Sequence, residues 1–409
     1  MIETDLLPRV DPSIEFRSFP MSRGTMHLQL KRQDHGIDDL MVMAERENPK
    51  RAFLFVSKVL GRHIPVQPQK HRRILRDLAS KAADLIEDTG DILVMGYAET
   101  AVGLGAGIHD ELSKILGEDR LGYLPSTRHP EHRETWLSFS EDHSHATAHH
   151  VLMPEDEQMR RIAIHAKTVV IVDDETTTGN TFINLISALT SVGRSFDRII
   201  LVTLTDWSDG KVAEAIADRT GLPMSTISSA SLVTGKFSWT AADGVKGGVL
   251  PGPCPIMPGA GIAPQEGSWR AGITGETSMD DLVATLAPVL DCEDGRPSLV
   301  IGTGELVWHA FRLAEALYPI VPTSFLATTR SPVLQGEAIR NKAVFPDHYG
   351  IGVEMYLHNV DPAEWANIVL LTEGRGQGFV PPALAEYLGK FTTLSLLGGM
   401  SFYEDGKIS

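Results

Sequence analysis

The sequence predicts an α/β fold, in which a parallel β-sheet flanked by helices is followed by a second α/β unit. The run 168–172 is apolar and mainly β-branched, which is typical of a strand buried on both faces. Two acids, a threonine-rich turn and an apolar helical pattern over 182–190 follow it. This order is half of a βαβ unit, whose ligands lie at the carboxyl end of the strand. A similar order of segments returns in the C-terminal part of the chain.

The acidic pair Asp173 and Asp174 indicates the kind of ligand. Carboxylates repel a phosphate, so the pair should face another group, and two neighbouring sugar hydroxyls would donate to both carboxylates. The turn 176–181 precedes the helix, and its backbone N–H groups together with the helix dipole suit a phosphate. A ribose 5-phosphate with a vicinal diol satisfies both demands.

This segment resembles the phosphoribosyl pyrophosphate (PRPP) motif of type I phosphoribosyltransferases, which reads four apolar residues, Asp-Asp, three residues and Thr-Gly-any-Thr. Thr178, Gly179 and Thr181 occupy the matching positions. Glu175 departs from the pattern, because many members carry an apolar residue there. The resemblance implies a type I phosphoribosyltransferase-like sheet, Mg²⁺ as the cofactor, and a PRPP site formed by Ala98, Glu99, Thr100, Asp173, Asp174, Thr176, Thr177, Thr178, Gly179, Asn180 and Thr181.

A second buried strand is predicted over 92–96, with a loop over 97–101 and a helix over 102–116. In the family that the motif resembles, the loop after this strand cradles pyrophosphate, which is why Ala98, Glu99 and Thr100 belong to the implied site. A further short strand is predicted over 121–124.

A polar stretch over 126–150 follows, and a loop of this length is usually functional. Its counterpart in the family is the flexible loop that closes over the pyrophosphate. The resemblance implies that Arg128 and Arg133 contact phosphate there, and that Arg128 acts in catalysis together with Asp173 and Asp174. The stretch also contains six histidines, and metal binding is the rival reading. The spacings His143-x-His145 and His149-His150 lack the i, i+4 pattern and the cysteine or carboxylate framework of a metal site.

The strand predicted over 198–204 ends near Trp207. Loops at this position help to hold the base in many phosphoribosyltransferases, so Trp207 is a candidate to stack on the acceptor. A tryptophan that packs on the rim of the fold is the alternative.

Upstream of the first core strand, residues 1–48 look irregular and polar, 52–60 read as a buried helix, and 73–87 read as an amphipathic helix. Eight cations and no acid lie between residues 49 and 76. In an acidic protein this island can gather an anionic substrate, with Lys50 and Arg51 as the leading candidates, or it can be a solvated helix face.

The C-terminal part repeats the order of the first domain, which indicates an ancient duplication. Residues 299–306 echo 93–100, so Glu305 falls opposite Glu99, and residues 328–332 echo 126–130. The acidic pair is replaced by Thr372-Glu373 and the turn 374–378 lacks Thr-Gly-any-Thr, so this copy should not bind PRPP in the ordinary way. Glu305 and Arg330 are predicted as polar groups of an acceptor site.

The segment 329–332, Thr-Arg-Ser-Pro, matches the signature of the TRSP domain. That domain is found behind a phosphoribosyltransferase in bacterial proteins linked to tellurite-resistance and stress-response gene sets. We therefore predict a phosphoribosyltransferase domain over 1–243, a Gly/Pro-rich connection over 244–275, and a TRSP domain over 276–409.

Composition limits the remaining classes. The 409 residues are 42% hydrophobic and 22% charged, with a formal charge of −16, which argues against a general nucleic-acid or anionic-membrane binder. Cys254 and Cys292 are too few for a disulfide framework, so a cytoplasmic location is expected. No apolar run approaches the roughly 20 residues that cross a bilayer, and the N-terminus does not read as a signal peptide.

The leading hypothesis from the sequence is a Mg²⁺-dependent phosphoribosyltransferase that transfers ribose 5-phosphate from PRPP to a base-like nitrogen acceptor in a stress-associated pathway. A homodimer or a biosynthetic complex is compatible with it. The alternatives are a non-catalytic PRPP-sensing regulator and an assembly component of a biosynthetic complex. The absence of a helix-turn-helix or a basic reading helix removes the usual output of a regulator.

Overall fold

The computed structural model describes residues 14–46, 48, 51–87, 89–129, 133–140, 148–244, 252, 254–255, 268–347, 349–373, 380–396, 399–404 and 407–408. We call the described residues up to 244 the first half and those from 268 onward the second half. The helices and strands of the first half are β1 (Glu15–Met21), β2 (Gly24–Gln33), α1 (Ile37–Leu40), β3 (Met41–Glu45), β4 (Phe53–Ser57), α2 (Pro68–Ala83), β5 (Ile92–Gly96), α3 (Thr100–Leu116), β6 (Leu121–Pro125), β7 (Thr135–Ser140), β8 (Ala148–Leu152), α4 (Glu157–His165), β9 (Thr168–Thr176), α5 (Asn180–Ser191), β10 (Arg198–Asp206), α6 (Val212–Thr220) and β11 (Ile227–Ala241).

The main sheet of the first half has the strand order β6-β5-β9-β10-β11-β2-β1. The five strands β6, β5, β9, β10 and β11 run parallel, whereas β2 and β1 are antiparallel additions at the far edge. The central strand β9 has Val169 to Val172 fully buried. This confirms the predicted strand, because a strand covered by helices on both faces reads as a continuous apolar run.

The elements of the second half are α7 (Asp280–Leu286), β12 (Ser298–Gly302), α8 (Val307–Leu317), β13 (Thr323–Ala327), β14 (Lys342–Pro346), β15 (Glu354–His358), β16 (Asn367–Thr372), α9 (Pro382–Leu388), β17 (Phe391–Ser395), β18 (Met400–Glu404) and β19 (Lys407–Ile408). Their sheet has the order β13-β12-β16-β17-β18-β19, and its first four strands, β13, β12, β16 and β17, are parallel. The order β13-β12-β16-β17 is that of β6-β5-β9-β10. The fold is therefore two successive parallel α/β sheets, and the shared strand order supports the proposed duplication.

A layer of helices lies between the two sheets and packs on both. One apolar cluster contains Val94 and Val170 from the first sheet, Leu104 from α3, and Val300 and Val369 from the second sheet. The outer face of each sheet has its own cluster, as the alternation of side chains along a strand requires. The helices α2, α3 and α8 pack against one another in the shared layer. The two halves therefore share one core, although their boundaries at 243 and 275 stay a proposal.

Three sequence-based expectations about elements were wrong. Residues 53–57 form β4 instead of a helix, because Phe53 and Phe55 point to the same face and pack on Phe237 at ring separations of 5.3 Å. The described part of the N-terminal segment is the hairpin β1–β2 with β3, not an irregular stretch. The polar stretch 126–150 contains the hairpin β7–β8, whose Leu137 and Val151 are buried on the outer face of the first sheet.

No helix among the described residues is long and apolar enough to cross a membrane.

Candidate active site

The acidic pair lies at the carboxyl end of β9, on the rim of a cleft of about 250 Å³. Asp173 Oδ1 accepts the N–H of Asp174 at 2.9 Å, and Asp174 Oδ1 accepts that of Glu175 at 3.1 Å. These bonds within the turn orient both carboxylates. The cleft, which we call the PRPP cleft, is lined by Arg46, Arg51, Asp173, Asp174, Glu175, Thr176, Thr177, Thr178, Gly179, Asn180, Thr181, Phe182 and Asn184.

The electrostatic state of Asp174 is set by its surroundings. Burial, followed by the repulsion of Glu175, raises the pKa of Asp174 to about 6. A carboxylate that is costly to ionise in the free protein gains from ligand groups that donate hydrogen bonds to it. The hydroxyls of a ribose are such groups.

The turn after the pair has the geometry of an anion site. Gly179 has a φ of 73°, in the left-handed region, and a Cβ atom there would lie 3.1 Å from Val212 Cγ2. Helix α5 begins at Asn180 without a side-chain cap, and its first residues, Asn180 to Phe182, line the cleft. The Asn180 side chain is held by Arg219. A phosphate in the cleft would accept hydrogen bonds from the backbone N–H groups of the first turn of α5.

Two arginines on the connection between β3 and β4 also line the PRPP cleft. Arg51 Nη2 is 2.6 Å from Glu175 Oε1 and neutralises it. Arg46 donates from Nε to the Arg51 carbonyl, and burial together with the charge of Arg51 lowers the pKa of Arg46 to about 10. Sequence reasoning named Arg51 and missed Arg46; the cation-rich turn of a hairpin was the signal that could have found it. Lys50 lies outside the described residues.

Residues 97–100, which we call the pyrophosphate loop after the role that the resemblance implies, follow β5. They lie beside the end of β9, because Gly96 pairs with Val172. Its Ala98–Glu99 peptide bond is cis. Ala98 N donates to Ser126 Oγ at 3.0 Å, and Ser126 Oγ is 2.8 Å from His149 Nδ1 on β8. The loop residues do not line the PRPP cleft itself; they occupy the neighbouring strand end.

Glu99 is the anchored member of this loop. Its carboxylate accepts from Arg62 Nη2 at 2.9 Å and is ion-paired with Arg330 Nε. Burial alone would raise the pKa of Glu99, but the attraction of Arg330 and Arg62 outweighs it and lowers the pKa. Glu99 is therefore a carboxylate whose charge is already matched by protein cations.

Arg128 lies at the base of the β7–β8 hairpin and is largely buried. Its N–H donates to Glu305 Oε1 at 2.8 Å, and its Nη1 donates to the Ala148 carbonyl at 2.9 Å. In this arrangement its side chain is bound to the hairpin rather than directed into the PRPP cleft. Arg133, the other predicted phosphate contact, pairs with Glu155.

Trp207 does not offer a face for an acceptor, which corrects the sequence-based expectation. Only 4% of it is exposed, and its ring stacks on Phe55 with centroids 4.9 Å apart. The strand β4, which the sequence had suggested to be a helix, covers the ring. Trp207 is part of the core.

Glu305 and Arg330 also have partners other than an acceptor. Glu305 is fully buried and accepts from Thr127 Oγ1 at 2.7 Å and from Arg270 Nε at 2.9 Å. Arg330 pairs with Glu99 of the first half. These two residues, predicted as polar groups of an acceptor site, are thus each engaged across the boundary between the halves.

The histidine stretch 129–150 is only partly described. His149 is buried and stacks on Phe139 with centroids 4.6 Å apart, and His129 packs on Tyr349 at 4.5 Å. His143 and His145 lie outside the described residues, as does the turn 374–378. Among the residues that the structure describes, no group of three or more His, Cys, Asp or Glu side chains could hold a metal ion.

Comparison with known proteins identifies the class. Residues 40–236 match the family model described as phosphoribosyl transferase, and residues 268–386 match the TRSP domain that lies C-terminal to it. The chain belongs to this family of phosphoribosyltransferases with a C-terminal TRSP domain, and it is therefore an enzyme of the pentosyltransferase class. No curated protein matches the sequence.

Three solved structures illustrate the distance to other phosphoribosyltransferases. Adenine phosphoribosyltransferase from Trypanosoma brucei is 13% identical, with 48% of this chain and 78% of that chain covered and a TM-score of 0.35. The enzyme of the same name from Thermoanaerobacter pseudethanolicus is 19% identical, with 48% and 96% covered and a TM-score of 0.31. Orotate phosphoribosyltransferase from Aeropyrum pernix is 19% identical, with 45% and 79% covered and a TM-score of 0.26.

Proposed function

We propose that this enzyme is Mg²⁺-dependent and transfers ribose 5-phosphate from PRPP to a nitrogen of a base-like acceptor in a stress-associated pathway, with release of pyrophosphate. The observation that carries the proposal is the PRPP cleft, where an acidic pair and an uncapped helix N-terminus line one cavity. The first suits the diol of a ribose and the second suits its 5-phosphate.

The reaction replaces the bond between the anomeric carbon and a pyrophosphate oxygen by a bond to the acceptor nitrogen, through a sugar that carries positive charge. Asp173 and Asp174 accept the ribose hydroxyls and lie near that charge, which they stabilise. The turn 176–181 fixes the 5-phosphate, so that the sugar is positioned for attack. The pyrophosphate loop receives the leaving group, and Arg128 contacts it when the hairpin moves toward the loop.

The cleft fits a magnesium ion that arrives with PRPP. Mg²⁺ is usually held by one or two carboxylates together with substrate phosphates, rather than by a cage of protein ligands. Of the three carboxylates that line the cleft among the described residues, Glu175 is paired with Arg51, which leaves Asp173 and Asp174 as the candidates to hold the ion. Glu99 is already matched by cations. The ion would neutralise charge on the leaving pyrophosphate.

Arg46 offers a further contact to an anionic substrate. Its guanidinium lines the cleft, and within the described residues its Nη1 and Nη2 atoms donate no hydrogen bond to protein. A phosphate of PRPP would satisfy these donors. A charge-assisted hydrogen bond of this kind contributes roughly 1.5–3 kcal/mol.

The test is PRPP binding with Mg²⁺ by calorimetry, followed by pyrophosphate release across a panel of heterocyclic bases. Asp173→Asn combined with Asp174→Asn should abolish PRPP binding while the protein stays folded, because both side chains lie on the rim of a cleft. Arg46→Gln should weaken PRPP binding by roughly 10- to 100-fold. Asp243→Asn, an exposed turn residue, is the matched control. Unchanged PRPP affinity in the double variant would refute the assignment.

A further inference from the structure

Each half of the molecule contributes a short segment, which we call an arm, that pairs with the edge strand of the other half. The segment 61–66 precedes α2, yet Val66 exchanges backbone hydrogen bonds with Phe325 of β13 at 3.0 and 2.9 Å. The segment 268–273 lies at the end of the predicted connection, yet Ile273 exchanges two backbone hydrogen bonds of 2.8 Å with Tyr123 of β6. Tyr123 and Phe325 occupy equivalent positions in the two sheets. Tyr123 pairs with Val94 of β5, and Phe325 pairs with Val300 of β12, the strand that corresponds to β5.

The polar contacts between the halves show the same reciprocity. Glu99 lies three residues after the end of β5, and Glu305 lies three residues after the end of β12. Glu99 contacts Arg330, which follows β13, whereas Glu305 accepts from the N–H of Arg128, which follows β6. Each glutamate therefore holds the segment that follows the edge strand of the opposite half.

Each arm also delivers a buried arginine to a glutamate. Arg62 contacts Glu99 and donates from Nη1 to the carbonyls of Gly304 at 2.6 Å and Thr328 at 2.9 Å. Arg270 contacts Glu305 and Thr127 Oγ1. The conformation of the pyrophosphate loop is thus fixed through two cations, one that belongs to the second half and one that is anchored to it.

The two halves differ in what their cavities can accept. Glu373 occupies the position that matches Asp174, and it is 2% exposed. Arg270 Nη2 is 2.8 Å from Glu373 Oε2, and Trp269 Nε1 donates to Glu373 Oε1 at 3.2 Å. A protein guanidinium and an indole therefore occupy the place in the second half where the first half has an open cleft. Among the described residues, the acid at this position is therefore paired within the protein in the second half and lines an open cleft in the first half.

We propose that Arg330 of the second half is a positioning residue for the reaction in the first half: it fixes Glu99, and through Glu99 the pyrophosphate loop, in the conformation that receives pyrophosphate. This inference rests on the proposed function. Arg330 acts through Glu99 and not by contact with the 5-phosphate or the ribose, which bind at the end of β9. Its loss should therefore affect one part of the substrate and spare the other.

The experiment uses the full chain with Mg²⁺ and measures by calorimetry the affinities for inorganic pyrophosphate and for ribose 5-phosphate separately. Arg330→Gln should weaken pyrophosphate binding by at least about tenfold and leave ribose 5-phosphate binding within about twofold. Arg330→Lys, which retains the charge without the Nε donor, should lie between the wild type and Arg330→Gln. Glu99→Gln should give the same selective loss, and combining it with Arg330→Gln should add little, since both act through one contact.

Arg296→Gln is the matched control, because Arg296 forms an exposed ion pair with Asp294 in the second half, away from the loop. We expect Arg330→Gln to fold, because Arg62 remains on Glu99, and thermal unfolding checks this. If the glutamine variant does not fold, Arg330→Lys supplies the same comparison. Wild-type pyrophosphate affinity in a folded Arg330 variant, or equal losses for both ligands, would overturn the inference. A wild-type protein that binds neither ligand would overturn the proposed function and the inference with it.

Discussion

Asp174 and Glu373 stand at matching positions of the two sheets in opposite electrostatic surroundings. Glu373 is buried against Arg270, whereas Asp174 faces Glu175 and the PRPP cleft. In the first half the acid Asp174 lines a cleft, whereas in the second half the acid Glu373 forms an internal ion pair with Arg270. The difference between a site and a scaffold therefore depends on whether a protein cation already neutralises the acid.

The raised pKa of Asp174 predicts a cost to stability. The folded protein holds its proton up to about pH 6, whereas the unfolded chain releases it near the ordinary value of 3.8. Stability therefore falls as the pH rises through this window, since the folded state binds more protons there. Asp174→Asn should raise the free energy of unfolding by about 1–2 kcal/mol at pH 7.5, and this gain should vanish below about pH 4.

Urea unfolding of the wild type and of the variant at a series of pH values checks this expectation, with Asp243→Asn as the exposed control. A gain that is equal at pH 4 and pH 7.5 would show that Asp174 carries no such cost. Residues of functional sites often destabilise the ligand-free protein, and Asp174 is expected to be one of them.

Local patterns were sufficient to predict the acidic pair and the threonine-rich turn of the PRPP cleft, but not Arg46. The strand, the acidic pair, Gly179 and the helix are contiguous, so their geometry follows from short-range rules. Glu305, Arg330 and Trp207 were singled out as well, but the contacts that they make in the structure were not predicted. Their partners Thr127, Glu99 and Phe55 lie more than 100 residues away in the chain, and no short-range pattern reports such a contact.

At the scale of elements, helix α3 packs closely on three neighbours through glycines. A Cβ atom on Gly103 would lie 2.8 Å from Val307 Cγ1 of α8, one on Gly105 would lie 2.8 Å from Tyr123 Cε2 of β6, and one on Gly107 would lie 2.4 Å from Leu75 Cδ1 of α2. Helix-interior glycines normally weaken a helix by about 1 kcal/mol relative to alanine. Here they permit the close approach on which the shared layer between the sheets depends.

Gly103→Ala tests the contact between α3 and α8. The higher helix propensity of alanine would stabilise the protein by about 1 kcal/mol, whereas overpacking against Val307 costs about 1–3 kcal/mol. We expect Gly103→Ala to lower the free energy of unfolding in urea. When Gly103→Ala is combined with Val307→Ala, the loss should be smaller than the sum of the losses in the two single variants. Val307→Ala alone is the control. A stabilised Gly103→Ala protein would show that the helices can separate at little cost.

At the scale of the whole molecule, the two halves are joined by their core and not by the connection alone. The central apolar cluster contains residues of both sheets, Phe325 of β13 lies against Gly61, and Arg62 is 1% exposed between the halves. The sequence predicted two successive units of the same kind. It could not predict that they share a core, because an apolar helix face reads the same whether one sheet covers it or two.

This arrangement predicts that neither half folds alone. A fragment ending at residue 243 would expose the inner faces of α2 and α3 and leave Arg62 without its carbonyl partners Gly304 and Thr328, and large exposed apolar surfaces lead to aggregation. We expect the fragment to lack a cooperative unfolding transition and to bind no PRPP.

Co-expression with the fragment 244–409 should restore both properties in a one-to-one complex, because the arms and the shared core need contact between the halves and not a covalent link. Co-purification, circular dichroism and PRPP calorimetry measure this. The full-length protein is the reference, and co-expression with a 244–409 fragment that carries Arg330→Gln shows whether a folded complex without the Glu99 contact still binds pyrophosphate. A first-half fragment that unfolds cooperatively and binds PRPP as the whole chain does would contradict the shared core and leave the second half a dispensable addition.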